Sequence, residues 1–304
     1  MTKVLSIFKV GKSETRDFMY TGFRIRQDNK SIKVDQEKYI KNVQIPALDL
    51  GQLKDKKRDM NQNELTLLRQ LTGMVNWAQR ATRPDLSFET IELSTKFKGG
   101  KAEDLIHAKN VAARLKKFDV TVTTSDVENF DDCQVWIFTD AAFRNLNNNT
   151  DSCGGYFLLI VNIKTGKCAP IEWRSNKIKR KVHSTLAAET LSLYSGLDAA
   201  IAIKMMLKEM TNGKADLTVK AITDNRSARD AIYSESEVAE RMLRADIAMI
   251  KDMVEEGKVS EVKWVEGKSM LADILTKRSV NKIPILEVLE TGRISEDMLH
   301  LILN

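Results

Sequence analysis

The stretch QVWIFTDAAF, Gln134 to Phe143, constrains this chain most, because an apolar strand runs straight into a carboxylate. Alternation puts Val135, Ile137 and Thr139 on one face and Trp136, Phe138 and Asp140 on the other, so both faces are apolar until the last positions. Such a strand belongs in the middle of a sheet. A carboxylate sharing a face with Trp136 and Phe138 costs several kcal/mol to bury unless something positive meets it. Asp140 therefore asks for a cation.

The 304 residues, 42% of them hydrophobic, suffice for two ordinary domains with cores of their own. No apolar run reads as the roughly 20 residues needed to span a bilayer. VLSIF, near the start, is short for a signal-peptide core and lies between Lys3 and Lys9. The expectation is a soluble, globular, intracellular chain without a membrane partner. Cys133, Cys153 and Cys168 are odd in number, lack metal-like spacing and fall in or beside expected strands, so they read as reduced core or edge residues. The net charge of +6 is unevenly placed: 24 basic residues face 15 acidic ones up to Ser125, and 24 face 27 after it. The front half is the one suited to a polyanion.

Along that front half, FMYTGFRIRQ and SIKVDQ alternate on either side of Asp28-Asn29-Lys30 and predict a β-hairpin. Asp35 is placed to cap a short helix, QEKYIKN, that ends before Pro46. The Lys-rich GQLKDKKRDM reads as a linker or exposed loop. From Asn63 the period becomes helical, with Leu65, Leu68, Leu71, Val75 and Ala78 on one face and a stop before Pro84. Two further helices, about Asp85 to Lys96 and Glu103 to Lys117, flank Gly99-Gly100.

After the polar TTSDVENFDD the pattern turns α/β. QVWIFTDAAF, CGGYFLLIVN and APIEWRS, separated by turn residues, predict three consecutive antiparallel strands. A basic loop, KIKRK, leads into a helix from Ser184 to about Met210. Then come a strand LTVKAITD, a helix from Asn225, a long helix of roughly Val238 to Glu256, a strand VKWVE, a helix around Leu271 to Lys277, and a helical tail beyond Pro284. The order predicts a mixed sheet covered by helices.

Four acids stand on core-facing or strand-end positions of this pattern. Asp140 ends the first strand, and Glu189 shares a helix face with Leu186 and Leu193. Asp224 ends its strand, where open α/β sheets place ligands. Asp273 stands in MLADILTK beside Leu271, Ile274 and Leu275. Each alone has an ordinary explanation: a strand-end turn for Asp140, a lysine-paired helix acid for Glu189, a helix N-cap for Asp224, a half-exposed helix acid for Asp273. Together they could converge in one place, and two carboxylates about 4 Å apart repel by roughly 4 kcal/mol at an effective dielectric near 20. Hard oxygen ligands without histidine or cysteine favour Mg²⁺, with Mn²⁺ as a substitute. Two such ions roughly 4 Å apart clamp both oxygens of an in-line phosphodiester displacement. Loss of one acid is then expected to relieve repulsion in the metal-free protein.

Strand-Asp, helix-Glu, strand-Asp and helix-Asp after an antiparallel βββ start resembles the RNase H fold. FTDAAF, IEWRSNKIKRKVHSTLAAETLSL, ITDNRSA and WVEGKSMLADILTK are similar, in order and spacing, to the RNase H of copia-type LTR retrotransposon Pol polyproteins. LRQLTGMVNWAQRATRPDLSF and YTGFRIRQ…IKVDQEKYIKN resemble the thumb and connection region after that family's polymerase palm. The resemblance runs from about Phe8 to Arg278. It implies a thumb/connection-like unit over 1–125, an RNase H-like domain over 130–280 and a helical tail over 281–304. It implies Mg²⁺-dependent cleavage of RNA in an RNA–DNA hybrid during reverse transcription, with Asp140, Glu189, Asp224 and Asp273 as catalytic metal ligands. It also implies a location in cytoplasmic virus-like particles or the nucleus, and the polymerase half as a partner.

Two departures accompany the resemblance. Cellular relatives carry a mobile histidine shortly before the last acid, but no histidine occurs from Ile232 to Ala272, and His183 reads as a cap or surface residue. No Tyr-x-Asp-Asp stretch occurs either, so this chain is not expected to polymerise DNA. Arg174, Lys177, Lys179, Arg180 and Lys181 crowd the loop before the Glu189 helix and are the expected contacts to hybrid phosphates. The alternatives are an inactive or domesticated retroelement remnant that binds nucleic acid or a protein, and another member of the wider fold such as an integrase.

Overall fold

The computed structural model describes residues 14–48 and 54–304; VLSIF, the start of the Lys-rich loop and the start of the resemblance at Phe8 lie outside the described residues. The front of the chain forms β1 (Asp17–Tyr20), β2 (Phe23–Gln27), β3 (Ser31–Asp35), α1 (Glu37–Asn42), α2 (Gln62–Gln79), α3 (Ser87–Thr95), α4 (Ala102–Arg114) and β4 (Val122–Ser125). The strands pair antiparallel in the order β1-β2-β3-β4. Two of them depart from the hairpin expected. FMYTGFRIRQ folds back on itself at Thr21 and Gly22, both at positive φ, and so supplies β1 and β2 rather than one arm. The TTS stretch expected as a polar connection is β4, paired with β3 along its length.

Asn61 caps α2 in a reciprocal box with Glu64. Leu68, Leu71, Val75 and Ala78 of α2 then pack on Leu105, Ala108 and Val111 of α4 and on Leu115 beyond it. The TRPD stretch locks this bundle. Pro84 opens a short 3₁₀ turn, and the fully buried Arg83 guanidinium donates to both Asp85 carboxylate oxygens at 2.8 and 3.0 Å. Its remaining N–H groups reach the carbonyls of Arg114, Leu115 and Phe118 at 3.3, 3.2 and 3.0 Å. A cation thus closes the C-terminal end of α4, where the unpaired carbonyls of a helix collect.

The second sheet comprises β5 (Cys133–Leu146), β6 (Asp151–Asn162), β7 (Cys168–Lys177), β8 (Thr218–Thr223) and β9 (Glu261–Trp264), in the order β7-β6-β5-β8-β9. β5, β6 and β7 are antiparallel, and β8 and β9 run parallel to β5. This is the RNase H-like mixed sheet expected, with β5 central. α5 (Thr185–Met210), α6 (Arg226–Tyr233) and α7 (Arg244–Glu255) cover the face of Val135, Ile137 and Leu158. α8 (Asp273–Thr276), α9 (Ile283–Thr291) and α10 (Glu296–Leu303) cover the face of Trp136, Phe138 and Phe157. The last two are more than a tail, because Ile285, Leu289 and Ile302 belong to that core. α7 begins at Arg244 rather than near Val238, and Glu240 ahead of it instead accepts a hydrogen bond from Ser184 at 2.6 Å. The three cysteines are buried and unpaired.

α5 is long and apolar enough to cross a membrane by length and composition alone, which corrects the reading that no stretch qualifies. Half of its most apolar window is buried in the protein, against the sheet. Two glycines bring helices close to β5 and its neighbour. A Cβ on Gly196 would come within 2.7 Å of Thr139 Cγ2, and one on Gly155 within 2.8 Å of Leu275 Cβ. α5 and α8 thereby approach the same end of the sheet from opposite faces.

The two sheets do not stand apart. Val120 and Val122 sink into the core beneath Trp136 and Phe138, and Phe88 of α3 packs on Leu146 and Cys153. Trp173 Nε1 donates to Gln79 O at 2.6 Å, and Lys282 Nζ to Asp85 O at 2.7 Å. The buried Arg83–Asp85 pair therefore sits where bundle and sheet meet. Asp85→Ala strands the guanidinium, and urea unfolding is expected to show a loss of about 3–5 kcal/mol; a loss within measurement error would contradict this account.

Candidate active site

Asp140 is fully buried and faces Gly155 across the β5–β6 ladder. Its carboxylate accepts from Thr276 Oγ1 on one oxygen and from Lys277 Nζ at 3.1 Å on the other. Ser192, on α5, steadies the backbone beneath it, donating to Asp140 O at 2.8 Å and accepting from Gly155 N at 3.1 Å. Asp273 opens α8 and accepts from the same Lys277 Nζ at 2.7 Å. Lys277 stands four positions after Asp273, so acid and ammonium lie one above the other across one helical turn.

Asp224 follows β8 and is half-buried. The ordinary N-cap explanation for it fails, because Asn225 caps α6 by accepting from Ala228 N at 2.9 Å. Trp264 Nε1 holds the Asp224 carbonyl at 2.9 Å, and Gly267 leaves room for its carboxylate. Carboxylate oxygens of Asp140, Asp224 and Asp273 lie within 4.8 Å of one another.

Glu189, on α5, is not one of these three, although Asp140 and Asp224 lie near enough to act on its charge. It is buried, and its Oε2 has no hydrogen-bond partner. Burial first, then Asp140 and Asp224, push its pKa up to about 9. Burial and then Asp140 raise Asp224 to about 6, and the same two causes raise Asp273, with Lys277 opposing. Burial disfavours the Lys277 ammonium, but Asp140 and Asp273 outweigh it and raise its pKa. An unpartnered buried carboxylate oxygen beside three gathered acids fits a divalent cation with oxygen ligands.

Sequence reasoning missed Lys277 and Thr276, although MLADILTK carried the signal in the four-residue spacing from Asp273. It also missed Arg226, whose guanidinium lies 4.3 Å from the Trp264 ring centre, beside Asp224. His183 is exposed and the α5 cap is Ser184, which accepts from Ala187 N.

The basic loop lies at the same end of the sheet, since Ser175 aligns with Gly155, and so with Asp140, two residues before Lys177. Its cations are unequally free. Lys177 and Lys181 both pair with the buried Asp151, at 2.6 and 2.7 Å, and hold its carboxyl well below the usual range. Arg180 pairs with Asp246, and Arg174 Nε donates to Asn176 Oδ1 at 3.1 Å. Lys179 makes no ion pair among the described residues. Arg174, Asn176, Lys179 and Ser195 line a groove of about 350 Å³ between β6, β7 and α5.

No protein-family model and no curated protein matches the chain. Among solved structures it is similar to the N-terminal RNase H domain of a Mycobacterium tuberculosis protein, at 16% identity and TM-score 0.35, covering 47% of this chain and 90% of that one. It is similar to LC11-RNase H1, a compost metagenome protein solved with an RNA/DNA hybrid, at 18% identity and TM-score 0.33, covering 49% and 99%. It is also similar to the foamy viral protease-reverse transcriptase solved with an RNA/DNA hybrid, at 10% identity and TM-score 0.41. That match covers 83% of this chain and 29% of the viral one.

The raised acids set a pH dependence. In metal-free buffer, Glu189 and Asp224 bind a proton more tightly folded than unfolded, so their contribution is full below the unfolded values of 4.5 and 3.8 and is lost as pH rises toward about 9 and about 6. The melting temperature is expected to fall between about pH 5 and about pH 8, and Glu189→Gln to flatten that fall. Identical pH profiles for the two proteins would show that Glu189 is not strained by its neighbours.

Proposed function

We propose that this chain is a divalent-metal-dependent endoribonuclease of the RNase H type that cuts RNA in RNA–DNA hybrids, as part of a copia-like retrotransposon reverse transcriptase. The observation that carries the chemistry is the gathering of Asp140, Asp224 and Asp273 carboxylate oxygens within 4.8 Å of one another, with a buried Glu189 whose charge Asp140 and Asp224 oppose and whose Oε2 lacks a partner. The substrate class rests on the resemblance of FTDAAF, ITDNRSA and MLADILTK to that family's RNase H. Mg²⁺ is the proposed cation, with Mn²⁺ as a substitute, and all four acids would hold it. Bound there, divalent cations supply a water nucleophile at neutral pH and stabilise the charge on the leaving 3′ oxygen.

The chain's own residues hold that arrangement ready. Thr276 orients the Asp140 carboxylate, Ser192 fixes the strand under it, and Trp264 fixes the backbone of Asp224. Trp136 and Phe138 lie on the same strand face as Asp140 and leave it fully buried. A hybrid is distinguished from duplex DNA by its 2′-hydroxyls, presented in a wide, shallow minor groove. The 1–125 unit, with its basic surplus, would carry the thumb-like part of that contact.

Two measurements test this reading. In single-turnover cleavage of a labelled hybrid with Mg²⁺, the wild-type protein is expected to cut the RNA strand and spare duplex DNA. Asp140→Asn or Asp224→Asn should reduce the rate by more than about a hundredfold while the fold survives. Undiminished cleavage by Asp140→Asn would refute the mechanism, and no cleavage by the wild type would favour the remnant reading. The second measurement is the salt dependence of hybrid binding by a catalytically silent Asp224→Asn protein. Lys179→Ala should lower the slope by about 0.9, and Lys181→Ala by less, because Asp151 already meets its charge. Equal effects of the two would show that the Asp151 pairs open on binding, and no effect of either would remove the loop from the interface.

A further inference from the structure

Lys277 is the one ammonium in direct contact with the acid cluster among the described residues. Its Nζ lies 3.1 Å from Asp140 Oδ1 and 2.7 Å from Asp273 Oδ1. Of the three carboxylates whose oxygens gather within 4.8 Å, two are therefore already engaged by one positive charge. A compact ammonium with three donors is well suited to bridge two carboxylates, and a hard divalent cation uses the same oxygen lone pairs. The two cannot share them without giving up hydrogen bonds. Glu189 makes no such contact, so the competition falls on Asp140 and Asp273.

The backbone on either side is better fixed than the side chain. Arg278 is tied to Glu92 of α3 through Nε at 2.9 Å and through Nη2, and Nη2 lies 3.2 Å from His107 Nε2 on α4. Lys277 N donates to Asp273 O at 3.0 Å. The Lys277 side chain, by contrast, is 36% exposed, and its four methylenes let the ammonium swing into solvent without moving α8.

We propose that Lys277 is a resident counter-ion of the acid cluster, one that divalent cations must displace, so that it sets the metal concentration at which the site loads. This rests on the metal-binding reading of the four acids. It assigns two opposed effects to one side chain. Without divalent metal, Lys277 stabilises the fold by meeting the buried Asp140 and the half-buried Asp273; with it, Lys277 weakens metal binding.

The test is a Mg²⁺ titration followed by thermal melting and by calorimetry, on the full chain with Lys277→Gln, Lys277→Arg and, as a metal-ligand control, Asp224→Asn. Lys277→Gln should melt lower without metal and reach half-maximal stabilisation at roughly tenfold lower Mg²⁺ than wild type. Lys277→Arg keeps the charge and pairs well with carboxylates, so its threshold should match or exceed that of wild type. It also answers the case in which Lys277→Gln fails to fold, because a threshold lower than wild type in a folded Lys277→Arg protein would overturn the proposal. So would an unchanged or weaker Mg²⁺ affinity in folded Lys277→Gln, with metal binding by the wild type then left intact. Binding by Lys277→Gln where wild type shows none would support it strongly. Failure of both proteins to respond to millimolar Mg²⁺ would sink the metal-binding reading and this inference together.

Discussion

A fully buried carboxylate on an apolar strand must be met by positive charge, and much of the local structure serves that one side chain, Asp140. Gly196 lets α5 close on β5 from one face, bringing Glu189 and Ser192 to the strand. Gly155, directly across the ladder from Asp140, lets α8 close from the other, bringing Asp273, Thr276 and Lys277. A methyl group at either glycine would meet atoms at 2.7 or 2.8 Å, so neither approach tolerates a side chain. The acids are thus a consequence of packing at a sheet end, where two helices and two strand ends come within reach of one point.

The repulsion expected of four acids is not shared equally. Lys277 meets Asp140 and Asp273 and opposes the rise of the latter, while Glu189 and Asp224, without such an ion pair among the described residues, are pushed up to about 9 and about 6. Relief on losing an acid therefore belongs to Glu189 first, since removing Asp140 also removes half of what holds the ammonium. α8 spans only four residues and is too short to hold itself. Ser175 Oγ donates to Leu275 O at 2.6 Å and Asn145 Nδ2 to Thr276 O at 2.7 Å, pinning it from the sheet. Glu92 of α3 pins it from outside through Arg278. The front module is in this sense part of the site's frame.

The central strand, the antiparallel start, the long α5 and the gathering of the three aspartates were legible because each follows from a period or from a charge set against it. β5 alternates cleanly, and Asp140 breaks an apolar face. What escaped was set by tertiary contact. β4 has a polar Thr-rich sequence and becomes a strand because β3 offers it an edge and Val122 a core. The Thr21-Gly22 fold needs positive φ at a threonine, which alternation does not reveal. α8 reads as a longer helix in the sequence because the Leu271, Ile274 and Leu275 spacing records burial, and burial here comes from the sheet rather than from helix length. Lys277 was visible as a spacing but acquires meaning only once Asp140, 137 residues away, lies beside it.

The same end of the sheet also carries the basic loop, and its ion pairs decide where positive potential remains. Asp151, at the β5–β6 hairpin, takes up Lys177 and Lys181, and Asp246 takes up Arg180. The cations left to face a polyanion are Arg174 and Lys179, on the wall of the groove between β6, β7 and α5. The opposite wall of that groove includes Ser192, the residue whose hydroxyl fixes the backbone of Asp140. Glu189 stands three residues earlier on the same helix, against the acids. On the proposed reading, a phosphate backbone drawn to the groove and the acids that would act on it are therefore referenced to one turn of α5. A shift of that helix would disturb grip and chemistry together rather than either alone.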